Sequence, residues 1–202
     1  MKKALYFLAV FVAAGITASA ASITNGNFAT CTGTTVAGWT LSGNDGFVCE
    51  PSGGGVLPIP SNSGPGGSGN WILLNNGPGQ LVTASQMITG LTVGSVYTLN
   101  WSMRSGYGCC AAGNGPGAGV VIDTLPASLF AIQNNTTWTN YSVTFTATAA
   151  SENLTLESQA NGSDTDAGFA NVSVVSAIPE PSTLLLLGAG AGLIAFRRLR
   201  LS

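Results

Sequence analysis

Val96-Tyr97-Thr98-Leu99-Asn100-Trp101-Ser102-Met103-Arg104 alternates without a break. In an extended chain successive side chains point to opposite faces. Tyr97, Leu99, Trp101 and Met103 therefore share one face, and Thr98, Asn100, Ser102 and Arg104 share the other. That period of two is the mark of a strand with an apolar and a polar side. Tyr141 to Ala147 repeats it, Leu154-Thr155-Leu156-Glu157 repeats it again, and Val172-Ser173-Val174 is a shorter instance. Val120 to Ile122 and Trp71 to Leu74 read as more deeply buried strands. Turn-forming clusters of Gly, Ser and Pro separate these segments, the longest running from Pro51 to Asn70. No intervening stretch holds a helical period of useful length. Many short strands between such turns predict an all-β domain, a β-sandwich or jelly roll. Tyr97, Trp101 and Trp138 are expected in its core, because aromatic side chains supply much of the burial in a sandwich. Trp39 and Trp71 border Gly-rich segments and are left unassigned.

The two ends are of a different character. Lys2 and Lys3 precede an uncharged apolar run from Ala4 to Ile16, followed by Ala18-Ser19-Ala20. This is the pattern of a secretory signal helix, with cleavage by signal peptidase expected between Ala20 and Ala21. At the other end Pro179-Glu180-Pro181 precedes an apolar run, which Arg197, Arg198 and Arg200 close. The prolines forbid a helix upstream, so an apolar helix is expected over 183–196. At about 14 residues, or roughly 21 Å, it is short against a hydrocarbon core of roughly 30 Å. The arginines belong on the cytoplasmic side. A temporary anchor does not need the full span. The expected organisation is a signal peptide over 1–20, a sandwich domain over 21–177 and a sorting tail over 178–202.

The tail resembles the PEP-CTERM sorting domain, which joins a Pro-Glu-Pro signature to a short apolar helix and a basic end. The resemblance implies processing by an exosortase, transient anchoring in the inner membrane of a Gram-negative bacterium, and delivery to the cell surface or an exopolysaccharide matrix.

Between Ala21 and Ala177 there is one cation, Arg104, against seven acids, a net charge of −6. The electrostatic term that drives nucleic-acid binding is missing, so nucleic acid is not an expected partner. The chain has no histidine, which removes the usual serine and cysteine triads and leaves no zinc motif. Four cysteines outside the cytoplasm read as disulfides, and four allow three pairings. Cys31–Cys49 is favoured because it closes a loop early in the domain. Cys109 and Cys110 then form a vicinal bridge or stay reduced, and pairings that tie them to Cys31 and Cys49 remain open. Asp164 and Asp166 form a small acidic loop whose carboxylates are of the type that holds calcium, with a solvated turn as the alternative. No other cofactor is expected.

Arg104 is the sharpest candidate for ligand contact. On the polar face of its strand it follows Ser102 and Asn100, and a guanidinium fork beside an amide and a hydroxyl suits sugar hydroxyls or a carboxylate. Tyr107, in the loop just beyond, is a candidate stacking ring. The alternative for Arg104 is a surface ion pair with Asp123. Glycoside hydrolysis needs two placed carboxylates, and Glu157 reads as an outward strand residue.

The order of motifs adds a second resemblance. Asn25-Gly26-Asn27-Phe28, Gly38-Trp39, Gln86-Met87-Ile88, Gly94 to Leu99, Trp138 to Phe145 and Phe169 to Val174 together look like the galactose-binding-like jelly roll of carbohydrate-binding modules. That resemblance implies glycan binding on the face that carries Arg104. It also implies a structural calcium held by acids just after the opening Asn-Gly-x-Phe and just before the closing Asn-Val. Here those places are Ala29 and Ala170. The expected function is a non-catalytic surface or matrix protein that binds extracellular polysaccharide. The alternatives are a purely structural or adhesive domain and, more remotely, a secreted polysaccharide hydrolase.

Overall fold

The structure, a computed structural model, describes residues 20–32, 34–43, 47–50, 64–65, 70–76, 80–105, 117–123, 125, 128–130, 137–159 and 165–177. Within these, the side chains of 47–50, 75–76, 105, 128–130, 159 and 165–166 are not described. The strands are β1 (Cys31–Thr32), β2 (Thr35–Val36), β3 (Thr40–Ser42), β4 (Phe47–Glu50), β5 (Trp71–Asn76), β6 (Leu81–Thr89), β7 (Val96–Ser105), β8 (Gly117–Ile122), β9 (Ser128–Phe130), β10 (Thr139–Thr146), β11 (Ser151–Gln159) and β12 (Thr165–Ser176). No helix among the described residues is long and apolar enough to cross a membrane. The signal helix and the tail helix over 183–196 lie outside the described residues.

Two five-stranded antiparallel sheets, β10-β7-β12-β5-β4 and β3-β6-β11-β8-β9, pack as a sandwich, and β1 and β2 form a small separate ribbon. The chain crosses repeatedly between the sheets, with β7, β10 and β12 in the first and β6, β8 and β11 in the second. The alternation seen in the sequence of β7 is what makes this possible. Its register sets Trp101 opposite Tyr141, Leu99 opposite Val143 and Tyr97 opposite Phe145. The rings of Trp101 and Tyr141 stack at 5.6 Å, and those of Tyr97 and Phe145 at 5.7 Å. Cross-strand aromatic pairs of this kind are the local unit of sheet stability. They meet Val82, Ala84 and Ile88 of β6, Ala118, Val120 and Ile122 of β8, and Leu154 and Leu156 of β11, all buried in one core.

The strands expected from sequence lie within longer observed ones, except that Tyr141 to Ala147 runs one residue past the end of β10 at Thr146. β6 is the main strand the pattern did not announce. Its inward residues are Val82, Ala84, Gln86 and Ile88, while Leu81 and Met87 are exposed. A small residue and an amide inside, with apolar residues outside, erase the alternation on which the reading relied. Trp39 is buried in the core. Trp138 is not in it and packs instead on the other side of the first sheet, which corrects its expected place.

The opening Asn25-Gly26-Asn27-Phe28 now has a physical explanation. Asn25 adopts φ 51°, and its Nδ2 donates to the carbonyls of Thr30 at 2.8 Å and Ala37 at 3.0 Å. Its Oδ1 accepts from the Thr30 amide. One side chain thus closes the whole loop. Gly26 leaves room for β12, since a Cβ there would stand 2.0 Å from the Val172 carbonyl oxygen. Val172 N donates to Gly26 O at 2.9 Å, and Phe28 reaches the core with no exposure. Buried Gln86 ties the segment to β6 by accepting from Thr24 N and donating to Thr24 O. Satisfying both ends of that amide is what makes its burial tolerable.

Glu157 faces outward on β11 opposite Thr83 and Gly119. It is nonetheless half-buried. Burial raises its carboxyl pKa above the ordinary 4.5, because desolvation disfavours the charged form. The folded domain therefore holds this proton more tightly than the unfolded chain does. The stability that the protonated form contributes is complete below the unfolded pKa and is lost as pH rises through the raised folded value. Glu157→Gln is expected to raise Tm at pH 7 by roughly 1–3 °C, with the gain vanishing near about pH 4. Thermal melts of both proteins across that range check it.

Candidate functional site

The outward face of the first sheet carries two adjoining features. The first is an aromatic cluster. Trp71 and Leu73 of β5 and Ala170 of β12 are buried there, with Trp138 packed against them. The indoles of Trp71 and Trp138 meet edge to face at 5.8 Å. The Arg104 guanidinium lies 4.2 Å from the Trp71 ring and 4.9 Å from the Trp138 ring. Gly168 sits opposite both Arg104 and Leu73 in register. A Cβ on it would come within 3.1 Å of Arg104 Cγ and Trp71 Cε3, so a side chain here would push the arginine and the indole back by a few tenths of an ångström.

Arg104 is therefore not an exposed clamp. It is 5% exposed and serves as the flat cation between two indole rings, where attraction to the ring faces offsets its removal from water. The expected ion pair with Asp123 is also corrected. Asp123 follows β8 in the other sheet, where its Oδ2 accepts from Asn153 N at 2.9 Å. Alternation placed Arg104 on the correct side of β7, but it did not reveal that this side is itself covered.

The second feature is an open depression of about 280 Å³ lined by Asn100, Trp101, Ser102, Asn140, Tyr141 and Asn171. Asn100 and Ser102 come from β7, as the alternation predicted. Asn140 stands opposite Ser102 in register, and Ser102 Oγ donates to Asn140 Oδ1 at 2.8 Å. Asn171 arrives by a different route. Between Ala170 and Ser173 the register of β12 against β7 slips, because three steps on β12 oppose two on β7, from Ser102 to Asn100. Asn171 takes φ 52° in that bulge, a left-handed conformation that asparagine tolerates better than most residues. Sequence analysis missed Asn140 and Asn171 as site residues. Asn140 was visible as a polar-face residue of its strand, but its pairing with Ser102 was not, and nothing short of the fold locates a bulge.

Chemically the depression offers amide donors and acceptors, a hydroxyl and no charge. Each asparagine side chain both donates and accepts, which matches the dual character of sugar hydroxyls. The described carboxylates belong elsewhere. Glu152 is buried on the inward side of β11, accepting from Thr148 N and Oγ1, while Glu157 faces out from the same strand. Two acids on opposite faces of one strand do not flank a shared bond.

Tyr107, Asp164, Cys109 and Cys110 lie outside the described residues, as do Ala18, Pro179, Glu180, Pro181, Arg197, Arg198 and Arg200. Asp166 is described in backbone only, opposite Asn75. Ala20 is exposed and Ala21 half-buried, just before the bridge of Ser22 to Thr89. Cys31 is disulfide-bonded, and the Cys49 side chain is not described. The calcium place implied by the opening and closing motifs does not fit that ion. Neither Ala29 nor Ala170 has a ligand oxygen in its side chain, and the Asn25 amide turns donors, not acceptors, toward the loop carbonyls. Among the described residues no group of three or more acids and cysteines is placed to hold a metal.

Residues 177–200 match the PEP-CTERM protein-sorting motif. No curated protein matches the chain. Among solved structures, TmCBM61, determined in complex with β-1,4-galactotriose, superposes with a TM-score of 0.51 at 12% identity, covering 76% of this chain and 96% of that one. A CBM4 module gives 0.44 at 17% identity over 77% and 99%. An arabinose-bound α-L-arabinofuranosidase, MgGH51, gives 0.49 at 16% identity over 78% of this chain and 26% of its own. The first superposition shows the fold alone, a β-sandwich of the same architecture as that module.

The stacked arginine makes a direct prediction. Arg104→Ala is expected to destabilise the domain by about 2 kcal/mol or more, through lost cation–π contact and lost packing between the indoles. Arg104→Lys keeps the charge without the planar fork and is expected to recover only part of that. Urea unfolding followed by tryptophan fluorescence measures both.

Proposed function

We propose that this chain is an exported, exosortase-sorted surface or matrix protein whose jelly-roll sandwich binds a neutral glycan in the Asn100, Ser102, Asn140 and Asn171 depression. The observation that carries the reading is that uncharged, amide-lined depression, open on the outer face of a sheet beside the half-buried Trp138. The sorting motif over residues 177–200 supports export to the cell envelope. The module-like fold supports a binding role, and at 12% identity it supports no particular sugar. Non-catalytic action is consistent with the described carboxylates, which lie away from the depression.

In this reading signal peptidase acts between Ala20 and Ala21. The Pro179-Glu180-Pro181 tail anchors the chain in the inner membrane until exosortase processing, with Arg197, Arg198 and Arg200 on the cytoplasmic side. Cys31 pairs with Cys49. The site differs from the sequence expectation in one respect: Arg104 supports the floor of the face and does not touch sugar, and Asn140 and Asn171 take its place. Tyr107 and the Asp164–Asp166 loop stay as outlying candidates for ring stacking and for calcium.

Two measurements test the reading. In pull-downs of the full chain with neutral insoluble polysaccharides, Asn100→Ala with Asn140→Ala is expected to reduce retention about tenfold or more while leaving Tm within a few degrees, since unmade polar contacts strongly disfavour binding. Equal retention by the double variant excludes this depression as the site. Mass spectrometry of protein recovered from the producing cell's surface is expected to begin at Ala21 and to lack the segment beyond about Pro181. An intact tail in the matrix fraction contradicts temporary anchoring.

A further inference from the structure

Four strands end the two sheets, and they are not alike. β3 has three residues, β4 four and β9 three. Shortness is one of the ordinary ways to keep a sheet edge from pairing with another chain. β10, at the end of the first sheet, has eight residues, or about 27 Å of edge. It is regular, pairing residue for residue with β7 from Thr139 to Thr146 with no bulge. It contains no proline and no lysine, and the chain has no charged residue at all between Asp123 and Glu152. Among the described residues β10 is the one long sheet edge, and shortness, a bulge, proline and charge are all missing from it.

The composition of the strand also says what it fits. Asn140, Ser142 and Thr144 are exposed on its outer side, and Tyr141 and Val143 are half-buried on its inner side. The domain carries a net charge of −6 between Ala21 and Ala177, yet this edge is neutral. Two copies can therefore meet here without opposing like charges. A two-fold axis normal to the sheet sets equal strands antiparallel and keeps each face on its own side. Asn, Ser and Thr then face one another outside, and tyrosine and valine extend the apolar layer inside.

We propose that β10 is the docking strand for a second copy of this chain, the two β10 edges pairing antiparallel about a two-fold axis beside Ser142 or Val143 to make one continuous sheet. This goes beyond glycan binding and does not depend on it. Asn140 and Tyr141 of β10 also line the depression, so pairing sets two depressions side by side on a single surface. For a polymeric ligand that arrangement gives bivalent binding.

The test is sedimentation of the full chain in density-matched detergent over a range of protein concentration. The weight-average mass is expected to rise toward twice that of the single chain. Ser142→Lys and Ser142→Glu each place like charges across the paired edge and are expected to weaken association about fivefold or more. An equimolar mixture of the two variants is expected to recover the pair, which a variant that is merely misfolded does not do. Ser142 does not line the depression, so failure here leaves the glycan reading untouched. A single-chain mass at every concentration overturns the proposal, as does unchanged association of Ser142→Lys or growth into species larger than a pair.

Discussion

The structure depends on β7 being covered on both sides. β7 is an interior strand, paired along both edges by β10 and β12, and its two faces meet different surroundings. The inward face meets the second sheet through Tyr97, Leu99, Trp101 and Met103. The outward face, polar by composition, is the harder one. Ser102 there is held by Asn140, and Arg104 is enclosed by Trp71 and Trp138. A buried guanidinium is costly to remove from water. Attraction to two ring faces is part of what offsets that cost, and Gly168 leaves the room for it.

That arrangement divides the outer face by function. Where Trp71, Leu73, Ala170 and Gly168 are close-packed, the surface is a second small core and resists change. One or two residue steps away the same strands present asparagine and serine with room between them. The bulge in β12 is the hinge between these regimes. It inserts one residue, turns Asn171 out of the regular ladder, and at the same point accepts the incoming amino-terminal segment through Gly26. A single irregularity thus shapes the depression and docks the start of the domain, so changes at the docking site and at the depression are expected to be coupled.

Legibility in the sequence followed a physical rule. β7, β10 and the Leu154 to Glu157 part of β11 were readable because the inward positions there are large and apolar. β6 was not, because Ala84 and Gln86 occupy inward positions and Leu81 and Met87 occupy outward ones. Trp138 was assigned to the main core because aromatic residues in a sandwich usually go there, and its true location depended on Trp71 lying across the sheet. Asn100 and Ser102 were found as members of a polar face. Asn140 and Asn171 required a register and a bulge, which are properties of pairing and not of any one segment.

The chain's amino-acid order alone determined the class of the fold, the sorting signature near its carboxyl end and the absence of histidine chemistry, because periodicity, short motifs and composition are local quantities. Only the tertiary structure decided that Arg104 is enclosed, that Asn140 and Asn171 join Asn100 and Ser102 around one depression, and that β10 is left at an edge. Each of these depends on which distant strands become neighbours. That choice is made by the burial of whole faces against one another, a global free-energy balance that no single stretch of sequence contains.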